Sequence, residues 1–216
     1  MHFTGRIIGI TLIALLALGI RIYAYIYFDF PLSAPPIVGV ICCFIAWWMG
    51  NQYDKAKFYS EKDSLTGLYN RRFIDKLFPT LLAQMDRRKA KLSISILDCD
   101  NFKVINDMYG HKKGDLVLQE FSSLLLSKTR KSDIVVRWGG DEFLIVAPFA
   151  DEKHTEVIIG RYTHALQELS SKLQLEISCS SGYAIYPTDA KDMESLIQIA
   201  DRKMYNHKIG SRGKLT

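Results

Sequence analysis

Charge is almost missing between Ile7 and Tyr53, where Arg21 and Asp29 are the only charged residues. Such a run cannot form the surface of an ordinary soluble domain, so this part of the chain points to a membrane. Cysteine is scarce too, with 4 in 216 residues. Cys42 and Cys43 fall inside the uncharged stretch, and Cys99 and Cys179 have neither CxxC spacing nor histidine neighbours. That pattern excludes a disulfide framework and a zinc cluster, and all four read as free thiols in a reducing compartment. No block of one charge exists either. Lys and Arg number 28 against 23 Asp and Glu, a net charge of +5. A balance this modest says little about nucleic acid, and no nucleic-acid partner is expected. Repeats and low-complexity tracts are absent.

What the chain does contain begins with two apolar runs, which together assign residues 1–50 to two membrane helices. Residues 7–28, "IIGITLIALLALGIRIYAYIYF", are long enough to cross a bilayer at about 20 residues per crossing, and Arg21 near one end can snorkel to the headgroups. Residues 35–49, "PPIVGVICCFIAWWM", are shorter and end in Trp47-Trp48, as interfacial belts do. The brief Pro-rich connection predicts a helical hairpin. Arg6 flanks one end and Lys55, Lys57 and Lys62 follow the other, so the positive-inside rule predicts a multi-pass protein of the inner (cytoplasmic) membrane with both termini in the cytoplasm.

Residues 51–62 read as a short charged linker helix, and residues 63–216 as a catalytic domain. Within it, helical spacing is predicted over 73–89, 102–109, 115–126, 155–173 and 193–208. Strands are predicted over 91–97, 134–138, 143–146 and 175–185. Interleaved helices and strands, with one adjacent antiparallel pair, predict an α/β domain built on a mixed sheet.

Two stretches carry chemistry. In "LDCDNFKVINDMYGHKKGD" (97–115) an apolar strand runs straight into Asp98-Cys99-Asp100. Asp100 precedes a helix and could cap it, whereas Asp98 ends an otherwise buried strand and is harder to explain as structure. The following helix brings its free N–H groups and Lys103 to the same place, a ready anion site. Carboxylates with a phosphate-binding helix start favour a hard cation, Mg2+ or Mn2+. In "VVRWGGDEFLIV" (135–146) two strand-forming runs flank Gly139-Gly140, a hairpin turn with no side chains where a ligand must approach the backbone. Asp141 and Glu142 add two carboxylates there.

"DSLTGLYNRR" (63–72), "DCDNFKVINDMYGHKKGD" and "RWGGDEF" (137–143) resemble, in order and spacing, the GGDEF-domain diguanylate cyclases, over about residues 60–212. The resemblance implies a fold like the palm of nucleotide cyclases and polymerases. It implies condensation of two GTP to cyclic di-GMP and two pyrophosphates, at a site formed between the two domains of a homodimer. By position, Asp98, the Cys99 carbonyl and Asp141 would bind metal, and Asp141 or Glu142 would help deprotonate the attacking hydroxyl. Asn101, Phe102, Lys103, Gly139 and Gly140 would line the GTP, and Asn106 and Asp115, with His111 nearby, would read guanine. Lys208 and Arg212 keep the spacing of the family's closing phosphate-binding motif. Ser211 and Gly213 depart from it, standing where Gly and Asn are usual. Arg130 and Asp133 form an RxxD at the register of the family's product-inhibition site, with Arg161 as the secondary arginine. The alternative reading is an inactive receptor that binds cyclic di-GMP through that RxxD. "DSLTGLYNRR" itself reads as mainly structural.

Overall fold

Small residues set how the first two helices meet. α1 (Thr4–Phe28) and α2 (Ile37–Glu61) run antiparallel: a Cβ on Gly9 would lie 3.6 Å from the Ala46 carbonyl oxygen, and one on Gly39 would lie 3.4 Å from the Ala17 Cβ. Most other side chains of α1 stay exposed, Leu12, Leu15 and Leu16 among them. Among the described residues, Ile7–Phe28 is the one segment long and apolar enough to cross a membrane. At about 1.5 Å per residue its 22 residues reach about 33 Å, enough for a hydrocarbon core of about 30 Å. The expected second span falls short. The apolar part of α2 that is described, Ile37 to Met49, covers only about 20 Å before Asn51 and Asp54 begin the polar half of the same helix. The described residues therefore hold one candidate span, and a two-span hairpin is not supported. This computed structural model describes residues 4–29, 31 and 37–212, and the chain divides near residue 60 into two units.

The second unit is a five-stranded mixed sheet in the order β1-β3-β4-β2-β5. Its strands are β1 (Tyr69–Asn70), β2 (Leu92–Cys99), β3 (Ile134–Arg137), β4 (Glu142–Pro148) and β5 (Cys179–Tyr186). β1 pairs parallel with β3, and every other pair is antiparallel. The helices are α3 (Arg71–Arg88), α4 (Phe102–Tyr109), α5 (His111–Lys128), α6 (Glu152–Leu173) and α7 (Met193–Arg212).

Strand alternation divides the core in two. Leu97, Cys99, Phe143 and Ile145 face α5 and α6, packing on Phe121, Leu125, Ile158 and Tyr162. Ile94, Ile96, Leu144 and Val146 face α3 and α7, packing on Ile74, Phe78, Leu196 and Met204. Both faces of β2 are buried until Asp98, so polar side chains surface only where the strand runs out. α7 lies so close to β5 that a Cβ on Gly182 would come 2.1 Å from the Ala200 carbonyl oxygen.

The expected helix over 102–109 is α4. The helix expected from Asp115 begins earlier, at His111, because Gly110 at φ +80° supplies the break between α4 and α5. The strand expected from Leu175 starts only at Cys179, although Leu175 and Ile177 are buried. β1, two residues long, is too short to leave a pattern in the sequence.

Candidate active site

β2 and the β3–β4 hairpin deliver carboxylates to one end of the sheet. Asp98 stands directly opposite Glu142 on β4 and opposite Ser180 on β5. The Cys99 N–H donates to the Asp141 carbonyl oxygen at 3.1 Å, which fastens the hairpin turn to the end of β2. The turn closes through the Trp138 and Gly139 N–H groups, which donate to the Glu142 carbonyl oxygen at 2.8 and 3.2 Å. A Cβ on Gly139 would sit 2.7 Å from Glu142 Oε2. Glycine there leaves the Glu142 carboxylate room to lie against the turn.

Lys208 on α7 donates to Asp98 Oδ1 at 2.5 Å, and the Asp98 side chain is only 15% exposed. Burial pushes the Asp141 carboxyl above its ordinary range, and the charge of Asp98 adds to this. Glu142 is raised by burial and then by Asp98, Asp141 and Asp201. Lys208 acts against both shifts, and Arg137 acts against that of Asp141, yet the net direction stays upward. Burial and neighbouring carboxylates together outweigh the described cations Lys208 and Arg137.

Among the described residues, no group of three or more His, Cys, Asp and Glu forms a ready metal cage. The donor set still fits one kind of ion. Mg2+ takes one or two carboxylates and fills its shell with water and phosphate oxygens, so hard oxygens in mutual repulsion are a suitable partial site.

Asp100 does not cap α4. Asn101 is the N-cap, in a left-handed conformation at φ +54° with no side-chain cap bond. The Asp100 carboxylate instead accepts from the Ser180 and Ser178 hydroxyls at 2.7 and 2.8 Å, which ties it to β5. Asn101 and Lys103 are exposed at the start of α4, where the first N–H groups have no partner within the helix. Phe102 is half-buried against the core.

Asn106 on α4 and Asp115 on α5 come together through a close helix contact. A Cβ on Gly114 would fall 1.9 Å from Asn106 Oδ1 and 3.2 Å from the Phe102 ring. Only glycine permits that approach, and it places the Asn106 amide beside the residue preceding Asp115. Asp115 and His111 are both exposed on the first turns of α5.

On the other side of the hairpin, Arg137 donates to Asp63 Oδ1 and Oδ2 at 3.0 and 3.2 Å. Its Nε and Nη2 also donate to the Gly140 carbonyl oxygen at 3.1 and 2.7 Å. Asp63 further accepts from the Thr66 N–H and hydroxyl at 2.9 and 2.7 Å. Burial alone would raise Asp63, but these donors more than offset it and hold the carboxyl below its usual range. Sequence reasoning missed this clamp. Both residues stand inside the motifs quoted above, but 74 positions separate them. It also missed Asp201, Gly114 and the two serines.

Arg130 and Asp133 form a tight turn before β3. Asp133 Oδ2 accepts from the Arg130 N–H at 2.8 Å, and the Arg130 carbonyl accepts from the Asp133 N–H at 3.0 Å. The Arg130 side chain is exposed, as is that of Arg161 on α6. Arg212 closes α7, and its side chain lies outside the described residues.

Comparison with known proteins agrees with this fold. DgcS of Shewanella oneidensis, a diguanylate cyclase, is 34% identical over 161 residues; the match covers 74% of this chain but only 54% of that protein. The GGDEF domain of TpbB (YfiN) from Pseudomonas aeruginosa superposes with a TM-score of 0.65 at 33% identity, over 69% of this chain and 89% of that one. The GGDEF domain of DgcB from Caulobacter crescentus, solved in complex with cyclic di-GMP, gives a TM-score of 0.63 at 26% identity, over 70% and 89%. The model of the family "Diguanylate cyclase, GGDEF domain" matches residues 60–214, and the chain belongs to that family.

Proposed function

We propose that the protein is a diguanylate cyclase, converting two GTP to cyclic di-GMP and two pyrophosphates in a homodimer whose domains each hold one GTP. The convergence of Asp98, Asp141 and Glu142 beside the start of α4 carries this reading. In each half-reaction the 3′-hydroxyl of one GTP attacks the α-phosphorus of the other. The bond from that phosphorus to the β-phosphate bridge breaks, and pyrophosphate leaves. The proton goes to Asp141 or Glu142, whose raised pKa values make them better acceptors near neutral pH.

Asp98, Asp141 and the Cys99 carbonyl would hold Mg2+ or Mn2+, which when bound lowers the pKa of the attacking hydroxyl and neutralises phosphate charge. Asn101, Lys103 and the N–H groups opening α4 would bind phosphate, and so would Lys208 and Arg212 by their spacing in the family's closing motif. Gly139 and Gly140 keep the turn clear for the nucleotide, with Phe102 supporting it from the core side. The Asp115 carboxylate takes the N1–H and amino group of guanine, with Asn106 and His111 beside it. Adenine lacks that donor pair and would leave Asp115 unsatisfied. Arg130 and Asp133, with Arg161 from a neighbouring domain, form a feedback site for cyclic di-GMP. In this division, α1 attaches the protein to the membrane, residues 51–62 link, and residues 63–216 catalyse. Confinement at the membrane raises the encounter rate of two domains.

Full-length protein in detergent, given GTP and Mg2+, is expected to form cyclic di-GMP, and Asp141→Ala to lose that activity. An inactive wild type that still binds cyclic di-GMP, with binding lost in Arg130→Ala, would favour a receptor instead.

A further inference from the structure

Two of the four cysteines face each other across the sheet. Cys99 ends β2 and Cys179 begins β5, and the strand register pairs them directly. The hydrogen bonds identify the type of pair. The Asp100 N–H donates across to the Ser178 carbonyl oxygen at 3.0 Å, whereas the Cys99 N–H points the other way, to Asp141 on the hairpin. Neighbouring residues alternate in this respect, so Cys99 and Cys179 form a non-hydrogen-bonded pair, with Cα atoms typically about 4.5 Å apart and side chains on one face. A disulfide accepts Cα separations of about 4.4–6.8 Å. Both cysteines are free; Cys99 is buried and Cys179 half-buried.

We propose that Cys99 and Cys179 are a redox modification site: a cross-strand dithiol that closes to a disulfide on oxidation by a peroxide. The half-buried Cys179 reacts first. Its thiolate attacks a peroxide oxygen, the O–O bond breaks, and hydroxide leaves as water after taking up a proton. The Cys99 sulfur then attacks the Cys179 sulfenic acid, the S–O bond breaks, and a second water carries away the Cys99 proton. Two thiols lose two electrons and two protons, and one hydrogen peroxide becomes two waters.

The bond would be felt at the candidate active site. The Cys99 N–H holds the Asp141 carbonyl, and Cys99 follows Asp98 in the chain. Closure ties β5 to that junction, and turnover falls as the strand end loses the freedom to adjust to the nucleotide. This consequence rests on the cyclase reading; the cross-link itself does not.

The test uses full-length protein in detergent, treated with hydrogen peroxide, alkylated under denaturing conditions and mapped by mass spectrometry. A Cys99–Cys179 linked peptide is expected, removed by dithiothreitol and absent from Cys179→Ser. Recovery of both cysteines separately, alkylated or singly oxidised, would overturn the site. Cyclic di-GMP formation is then measured in the same samples. The wild type is expected to lose activity on oxidation and regain it on reduction, while Cys179→Ser keeps its activity. A linked peptide with unchanged turnover would overturn the coupling. A linked peptide in protein inactive before and after reduction would count against the cyclase reading and leave the site standing.

Discussion

Two carboxylates on either side of one hairpin turn meet opposite electrostatic fates. Asp63 is satisfied: Arg137 and Thr66 surround it, and its pKa is held down. Asp141, one residue beyond the clamp's contact at Gly140, is partly buried beside Asp98, and its pKa is pushed up first by burial and then by that charge. One side spends its charge inside the protein as scaffolding. The other holds partly buried carboxylates close together, an arrangement that a bound cation or proton relieves. The contrast separates a residue that builds the turn from residues that act at it.

The largest effect should come from breaking the scaffold side. Arg137→Ala removes the donors to Asp63 and to the Gly140 carbonyl together. With side chains 16% and 21% exposed in the ion pair, the loss should cost about 3–5 kcal/mol, the range for breaking a buried pair from one side. Turnover should fall with it, because the Gly139–Glu142 turn loses its brace. Unfolding and GTP kinetics on the full-length variant check both. An unchanged unfolding midpoint would mean that the clamp is ornamental.

A smaller effect should follow at the guanine end. Gly114→Ala forces a methyl onto Asn106 Oδ1 and should destabilise by about 1–3 kcal/mol, as overpacking does. KM for GTP should rise more than kcat falls, since the contact shapes the base pocket rather than the reacting atoms. A variant with raised stability and unaltered KM would contradict the close approach.

The smallest effect is in pH dependence, and the two sides predict opposite signs. Asp63 has a depressed pKa, so its stabilisation is present above the ordinary carboxylate range near pH 4 and is lost as pH falls through the folded value. Asp141 and Glu142 have raised pKa values, so what they contribute is present below the ordinary range and is lost as pH rises through their folded values. Without divalent cation, Asp63→Asn should flatten the acid limb of a stability profile. Asp141→Asn should remove part of the decline toward neutral pH. Identical profiles for both variants would erase the contrast.

Much of this was legible in the chain because it is local. The start and end of α4 follow from hydrophobic spacing and Gly110, and the hairpin from Gly-Gly between strand formers. Asp98 is conspicuous because six buried residues precede it on β2. What escaped was decided by partners far away. Asp100 looked like a helix cap, but two serines 78 and 80 positions later claim its carboxylate. Arg137 has no assigned role in the sequence, and gains one only when the fold sets Asp63 beside it. Gly114 reveals its purpose only once α4 and α5 are folded together. The second apolar run looked like a membrane span because its aromatic end mimics one, but its length does not suffice.

The most direct test of this carboxylate crowding is the unfolding midpoint of full-length wild type and Asp141→Asn, with and without Mg2+. Without the ion, Asp141→Asn should be the more stable, because a repelling carboxylate is gone. Mg2+ should then stabilise the wild type and leave the variant little changed. A variant less stable than wild type without the ion, and stabilised by Mg2+ to the same degree, would contradict the account.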